Sequence, residues 1–333
     1  MSSISIDIPT LEINSYGLKN LVNYISRHEQ TLKEFGAIKI KLNSDCLLGI
    51  KKQKISSKFT NIQRIVKISN DEPIYSIKKI EGINDYMKEH IPILNEETFW
   101  SSFIHSNHKH EQSAASILLN KSLFLKKSPE NSFSIHHIPK QSLLKLVDTQ
   151  RIQQFVPCLT RSHEPGTIFP LSDTQQRLFS LIYHHDGGSR YWYIIPSCER
   201  EILLKLLYQK RSSACFQHDQ LFINPSILDK HHIRYHRIIQ HSNEFIVLSA
   251  GTISQSFTTD ACWTESIPFA LPSWIRNDHA YNQNSTCQCK INQFSETKTN
   301  NINLSQSDPV QKSIGQYFNV NNNHHQHTSI STG

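Results

Sequence analysis

The stretch FPLSDTQQRLFSLIYHHDGGSRYWYII, residues 169–195, decides how the rest of the chain is read. Leu178, Ser180, Ile182 and His184 alternate with Phe179, Leu181, Tyr183 and His185, so both faces of an extended segment carry apolar or aromatic groups. That pattern suits a strand inside a sandwich or barrel. Asp186-Gly187-Gly188-Ser189 predicts a tight hairpin turn, because glycine tolerates positive φ. Tyr191-Trp192-Tyr193-Ile194-Ile195 is a β-rich return strand that Pro196 ends.

Working outward, Asn14 or Ser15 predicts the cap of a helix with Leu18, Leu21, Val22 and Ile25 on one face, running toward Phe35 and stopped by Gly36. Ala37–Leu42 alternates as a strand. Ser142–Leu146 reads as part of a short helix. Cys198–Lys210 reads as a longer one, with Ile202, Leu203, Leu206 and Leu207 inward. From Arg276 onward Asn, Gln, Ser, Thr and His dominate, and such a segment buries too little apolar surface to offset its ordering entropy, so a disordered tail is expected.

The chain has 333 residues and 37% hydrophobic content, enough for one sizeable core and a small second module. No apolar run approaches membrane-spanning length, and MSSISIDIPT lacks a signal-peptide pattern. Seven scattered cysteines, with Cys287 and Cys289 the only close pair, imply free thiols and a reducing compartment. The net charge is +7. Lys39, Lys41, Lys51, Lys52, Lys54, Lys58, Arg64 and Lys67 share their interval with one acid, Asp45. The run reads either as a phosphate-contacting surface or as a solvated basic face, and Lys51, Lys52, Lys54 and Lys58 are its DNA-contact candidates.

Arg190, Trp192, Tyr193, Ile195 and Pro196 resemble the second half of the Jumonji C (JmjC) core motif of iron- and 2-oxoglutarate-dependent histone lysine demethylases. Asn224-Pro225-Ser226-Ile227-Leu228, Asn243-Glu244-Phe245, Glu265-Ser266, Phe269-Ala270 and Trp274 resemble later JmjC motifs in order. Pro9-Thr10, the following helix with Tyr24-Ile25, Gly36 and the Lys39-Ile40 strand resemble a JmjN module. The resemblance implies a mainly β, α+β fold: a JmjC double-stranded β-helix of jelly-roll, cupin-like form, with an N-terminal JmjN helix–strand module. It divides the chain into 1–45 JmjN-like, 46–110 basic connection, 111–275 JmjC-like barrel and 276–333 tail, with no room for an ARID domain and no zinc motif after the barrel.

The family's cofactors are Fe(II) and 2-oxoglutarate. Counted without gaps, the metal-ligand positions fall on Ser172, Thr174 and Ser254. Neutral hydroxyls are weak Fe(II) ligands, so neither cofactor is expected. At the cosubstrate position Arg190 replaces the family's usual Lys and Ile182 stands where an Asn is common; a carboxylate clamp and a structural ion pair are both open to Arg190, the ion pair being the expectation. His184-x-Asp186, with His231, His232, His236 and His241 downstream, raises a shifted metal site against the alternative of surface histidines.

Loss of the ligands and the Ile253-Ser254-Gln255 pattern resemble the founding, non-enzymatic, Polycomb-associated member of the family. The reading is therefore a nuclear chromatin regulator without demethylase activity, partnered by histones or DNA and by a Polycomb-type complex. The alternatives are an active demethylase or protein hydroxylase with an atypical site, and a degenerate paralogue that acts through its tail. Gln311, Ile314, Tyr317 and Phe318 fit Gln-x-x-Ile-x-x-aromatic-aromatic and resemble the PIP box, the peptide motif that binds the sliding clamp PCNA. One tight helical turn would put Ile314, Tyr317 and Phe318 on one side as an apolar plug.

Overall fold

In the computed structural model, residues 8–56, 62–68, 72–80, 92–105, 109–126, 133–146, 152, 154–210 and 220–276 are described. Lys58 and the clamp motif at 311–318 lie outside them, as does the whole tail beyond Arg276.

The chain opens with β1 (Thr10–Ile13), then α1 (Ser15–Lys19), α2 (Leu21–Arg27) and α3 (Glu29–Phe35), and returns along β2 (Ala37–Leu42) to α4 (Ser44–Gly49). β3 (Ile62–Lys67) and β4 (Ile74–Ile80) precede α5 (Glu96–His105), β5 (Lys109–Ser113), β6 (Ser116–Leu119) and α6 (Ile138–Gln141). β7 (Cys158–Ser162), β8 (Ile168–Asp173), β9 (Phe179–Gly187) and β10 (Arg190–Ile195) follow. After α7 (Arg200–Lys210) come β11 (Leu221–Ile223), α8 (Pro225–Lys230), β12 (His236–Gln240), β13 (Glu244–Leu248), β14 (Ile253–Thr258), β15 (Cys262–Phe269) and α9 (Pro272–Arg276). No helix among the described residues is long and apolar enough to cross a membrane.

The strands form a seven-stranded sheet, β1-β2-β13-β9-β15-β7-β6, and two four-stranded sheets, β12-β10-β14-β8 and β11-β4-β3-β5. The domain is mixed α+β with much β-sheet, and the strand orders are those of open sheets. Register assigns the faces. In the large sheet Phe245 and Glu265 both lie opposite Tyr183, and Val247 and Ile267 both lie opposite Leu181. Phe245 and Val247 also lie opposite Ile40 and Ile38 of β2. This face joins Leu18, Leu21, Val22, Ile25 and Leu32 of α1–α3 in one core cluster. The β10–β14 sheet has its own apolar outer face, where Tyr193, Ile195, Ile253 and Phe257 meet Ile65, Phe99, Leu203 and Phe222. The segment expected to be a basic connection therefore supplies two strands of a third sheet that covers this face. Gln255 ties them together: its side chain accepts from Ile223 N at 2.9 Å and donates to Ile223 O at 2.6 Å.

Between the sheets, Ile182, Ile246 and Leu248 pack against Trp192, Ile194 and Ile238. Beside them, hydroxyls, Arg190 and further apolar side chains line the candidate site.

Several local expectations change. The stretch 14–35 is three short helices, broken at Asn20 and His28. Asn14 does cap the first, accepting from Gly17 N at 2.9 Å, and Gly36 does end the third in the left-handed region at φ 75°. Ile202 is 51% exposed; only Leu203, Leu206 and Leu207 of its set are buried. The largest correction is the turn. β9 and β10 do not pair: β9 lies between β13 and β15, and β10 between β12 and β14. Asp186–Ser189 is a crossover from one sheet to the other. A Cβ on Gly187 (φ 94°) would lie 2.1 Å from Ala261 O, and one on Gly188 2.4 Å from Asp260 N. The glycines thus serve a close approach of two backbone corners, a demand that looks like hairpin chemistry in one dimension.

Leu21 and Ile25 are fully buried, whereas Tyr16 is 78% exposed. Leu21→Ala and Ile25→Ala should each cost about 2–5 kcal/mol, and Tyr16→Ala should stay within about 0.5 kcal/mol. Urea midpoints measure this; equal midpoints for all three would mean that the helices do not share the core.

Candidate functional site

Parity brings the hydroxyls together. Ile253, Gln255 and Phe257 of β14 face outward, so Ser254, Ser256 and Thr258 face the large sheet. Ser254 lies opposite Ser172 of β8, and Ser256 opposite Phe169. From the large sheet, Thr160 of β7, Ser180 and Ile182 of β9, and Thr264 and Ser266 of β15 face back. The result is a cavity of about 370 Å³ lined by Ser172, Thr174, Ser254, Arg190, Ile182 and Trp192, among others.

The three expected ligand positions and both cosubstrate positions therefore share one cavity. The basic candidates do not join them. Lys51, Lys52 and Lys54 are exposed. The Lys52 ammonium turns toward the large sheet, donating to His185 O at 3.4 Å and lying 5.3 Å from the centre of the Tyr183 ring. Burial lowers its pKa, against the opposing pull of Asp186 and Glu265. Lys39 and Arg64 pair with Glu244 and Glu111.

Arg190 dominates the cavity. Its Nε donates to Ser256 Oγ at 2.9 Å and an η nitrogen to Thr264 Oγ1 at 3.2 Å, which bridges the two sheets. Its guanidinium carbon lies 3.7 Å and 3.9 Å from the ring centres of Phe169 and Trp192. Among the described residues no carboxylate pairs with it, so the expected ion pair is replaced by hydroxyls and aromatic faces. It is 7% exposed, and burial lowers its pKa to about 9, which leaves it a cation at neutral pH. Sequence reading missed Ser256, Thr264 and Phe169; the period-two run Ser254-x-Ser256-x-Thr258 held the signal for the first.

Asp173 also lines the cavity and pairs with Arg200 of α7; burial raises its pKa while Arg200 opposes the shift. Thr174 Oγ1 accepts from Gly251 N at 3.1 Å, which ties its hydroxyl to a loop. The residues do not fit Fe(II): a serine pair and a backbone-bound threonine offer no deprotonated oxygen and no imidazole. Among the described residues, no three His, Cys, Asp or Glu side chains gather where a metal could sit.

The His184-x-Asp186 alternative resolves differently from both of its readings. The β9–β15 register shifts between Trp263 and Thr264, so that His185 is an extra residue with no partner in the ladder. His184 stays on the cavity side, its Nε2 3.1 Å from Asp186 O. His185 turns to the other face, its Nε2 2.9 Å from Glu265 Oε2. Both are buried, so they are neither surface residues nor convergent ligands.

Burial lowers the pKa of His184 to about 4 and lowers that of His185 too, where Glu265 opposes the shift. In the unfolded chain a histidine titrates near 6.5, so between roughly pH 6.5 and 4 the unfolded state binds more protons, and folding stability falls with acidification. His184 alone should contribute a loss on the order of 2–3 kcal/mol between pH 7 and 4. Urea unfolding against pH should show the drop, and His184→Asn should flatten it; parallel profiles would refute the assignment.

Residues 162–269 match the family model described as JmjC domain, hydroxylase. Multicopy suppressor of chk1 protein 1 of Schizosaccharomyces pombe is 33% identical over 111 residues, covering 32% of this chain and 7% of that protein. Lysine-specific demethylase 4D of Rattus norvegicus is 30% identical over 129 residues, covering 37% of this chain and 25% of that protein. Protein Jumonji of Gallus gallus is 30% identical over 108 residues, covering 31% and 9%. The chain thus spans a quarter or less of the length of these relatives. They include demethylases and Protein Jumonji alike, so the likeness does not single out the founding member. With the motif order of β10–β15 and the cavity they enclose, it makes this chain a JmjC-domain protein related to the Jumonji and lysine-specific demethylase 4 proteins.

Proposed function

We propose that this chain is a chromatin-associated regulator whose JmjC domain has lost demethylase turnover and keeps its cavity for binding. The carrying observation is that Ser172, Thr174 and Ser254, three hydroxyls, stand together where the family's iron ligands are expected. The two sheets that enclose them are the halves of a jelly roll, and residues 1–45 are its JmjN module. Arg190, a buried cation with no carboxylate partner among the described residues, is the group that would hold a small acid there. Histones or DNA, a Polycomb-type complex and the nucleus follow as the setting of such a protein. Lys51, Lys52 and Lys54 are exposed members of the phosphate-contacting set.

Protein prepared without oxygen should bind no stoichiometric Fe(II) and release no succinate with methylated histone peptides. The combined substitution Ser172→His, Thr174→Asp and Ser254→His should create Fe(II) binding at least about a hundredfold tighter than wild type. One equivalent of iron on wild type, or peptide-dependent succinate, would instead support an oxygenase with an atypical site.

The tail motif Gln311, Ile314, Tyr317 and Phe318 adds docking to PCNA. Three large apolar residues in a polar segment favour this reading. A peptide spanning 308–321 should bind the clamp, and Tyr317→Ala with Phe318→Ala should abolish binding in a fluorescence polarisation assay. Equal binding by both peptides, or none by either, would discard it.

A further inference from the structure

The seven-stranded sheet ends on β6, whose one strand neighbour among the described residues is β7. Ile117 and Leu119 of this end strand are 65% and 70% exposed. A sheet edge offers unpaired backbone donors and acceptors, and folded proteins normally blunt it with charge, proline or a covering segment. Ser116-Ile117-Leu118-Leu119 carries neither charge nor proline.

Register shows what this edge adjoins. Ile117 lies opposite Thr160 and Leu119 opposite Cys158. Leu119, Cys158 and Thr160 all line the cavity, so the two exposed side chains continue its inner face outward as a rim. Ser116 and Leu118 point to the other face, where Ser116 lies opposite Arg161. Arg161 stacks on Trp263 at 4.9 Å. Lys121 and Lys126 follow the strand, and neither 112–126 nor 158–162 contains an Asp or Glu. One face of the edge is apolar; beside the other stand Arg161 and Lys121, while the nearby Glu265 and Glu164 are buried and bonded to Leu123 N and Ser113 N.

We propose that β6 is a docking edge for an extended acidic peptide of a partner protein, which joins the large sheet as a further strand. Alternate side chains of an added strand point to opposite faces. Apolar residues of the peptide would cover Ile117 and Leu119 on the cavity side. Acidic residues between them would face Arg161, with Lys121 just beyond the strand end. A second copy of the chain suits the edge less well, because it would bring Arg161 and Lys121 toward their own like charges. The proposal does not depend on the fate of the iron site: metal content and turnover test that, and peptide binding tests this.

The probe is a fluorescein-labelled Glu-Val-Glu-Val-Glu-Val-Glu peptide, titrated with the full chain and followed by anisotropy. A Lys-for-Glu version and a peptide of the same composition without alternation serve as controls. The acidic alternating peptide should bind at least about tenfold more tightly than either control. Ile117→Ser with Leu119→Ser, and separately Arg161→Gln, should weaken it by about tenfold, with far-UV circular dichroism and urea midpoint unchanged. Hydrogen exchange should slow at the amides of Ser116–Leu119 when the peptide is bound. Absent or equal binding of the three peptides, binding indifferent to the β6 substitutions, or binding without protection of β6 would overturn the proposal. So would a sedimenting dimer abolished by Ile117→Ser with Leu119→Ser, which would make a second copy the occupant.

Discussion

Both central sheets carry most of their large apolar residues on the faces that point away from each other. Phe179, Leu181, Tyr183, Phe245 and Phe269 line one outer face; Tyr193, Ile195, Ile253 and Phe257 line the other. A sheet with an apolar outer face must be covered, because exposing such a surface forfeits the main favourable contribution to folding. Helices α1–α3 cover one face, and the third sheet with α5 and α7 covers the other. The N-terminal residues and the 62–113 segment are thus part of the same folding unit as the matched domain.

The same arrangement frees the space between the sheets. It is not the main core, and Ser172, Ser180, Ser254, Thr264 and Ser266 share it with one guanidinium and with apolar side chains such as Ile182, Trp192 and Leu248. Arg190 remains a cation there because hydroxyl acceptors and two ring faces replace part of the hydration it loses. A cavity stabilised from outside does not require a metal to persist. The fold can therefore survive the exchange of ligand residues for hydroxyls and still present a shaped, charged pocket.

The corner at 185–189 shows how local chemistry and global geometry interact. Strand alternation sends His184 and His185 to opposite faces, an extra residue leaves His185 unpaired in the β9–β15 ladder, and the two glycines after them let the chain cross between sheets against the 259–262 corner. Two adjacent histidines acquire separate partners, and a His-x-Asp spacing produces no metal site.

The sequence by itself determined the strands at 37–42, 179–187 and 190–195, the Gly36 stop, the buried face of Leu18, Leu21, Val22 and Ile25, and the motif order. It also placed Ser172, Thr174 and Ser254 together with Arg190, because in-order motifs of known spacing carry register. Period and turn composition are local properties, and they survive folding where one face is buried. Only the tertiary structure decided which strands pair, that the Gly-Gly turn is a crossover, that the exposed Lys52 bends its ammonium back to His185 O, and that hydroxyls and rings surround Arg190. It also decided that 62–80 supplies strands of a covering sheet and that Ile202 faces solvent. These are contacts between residues far apart in the chain, set by how the sheets stack, and no local pattern encodes a partner a hundred residues away.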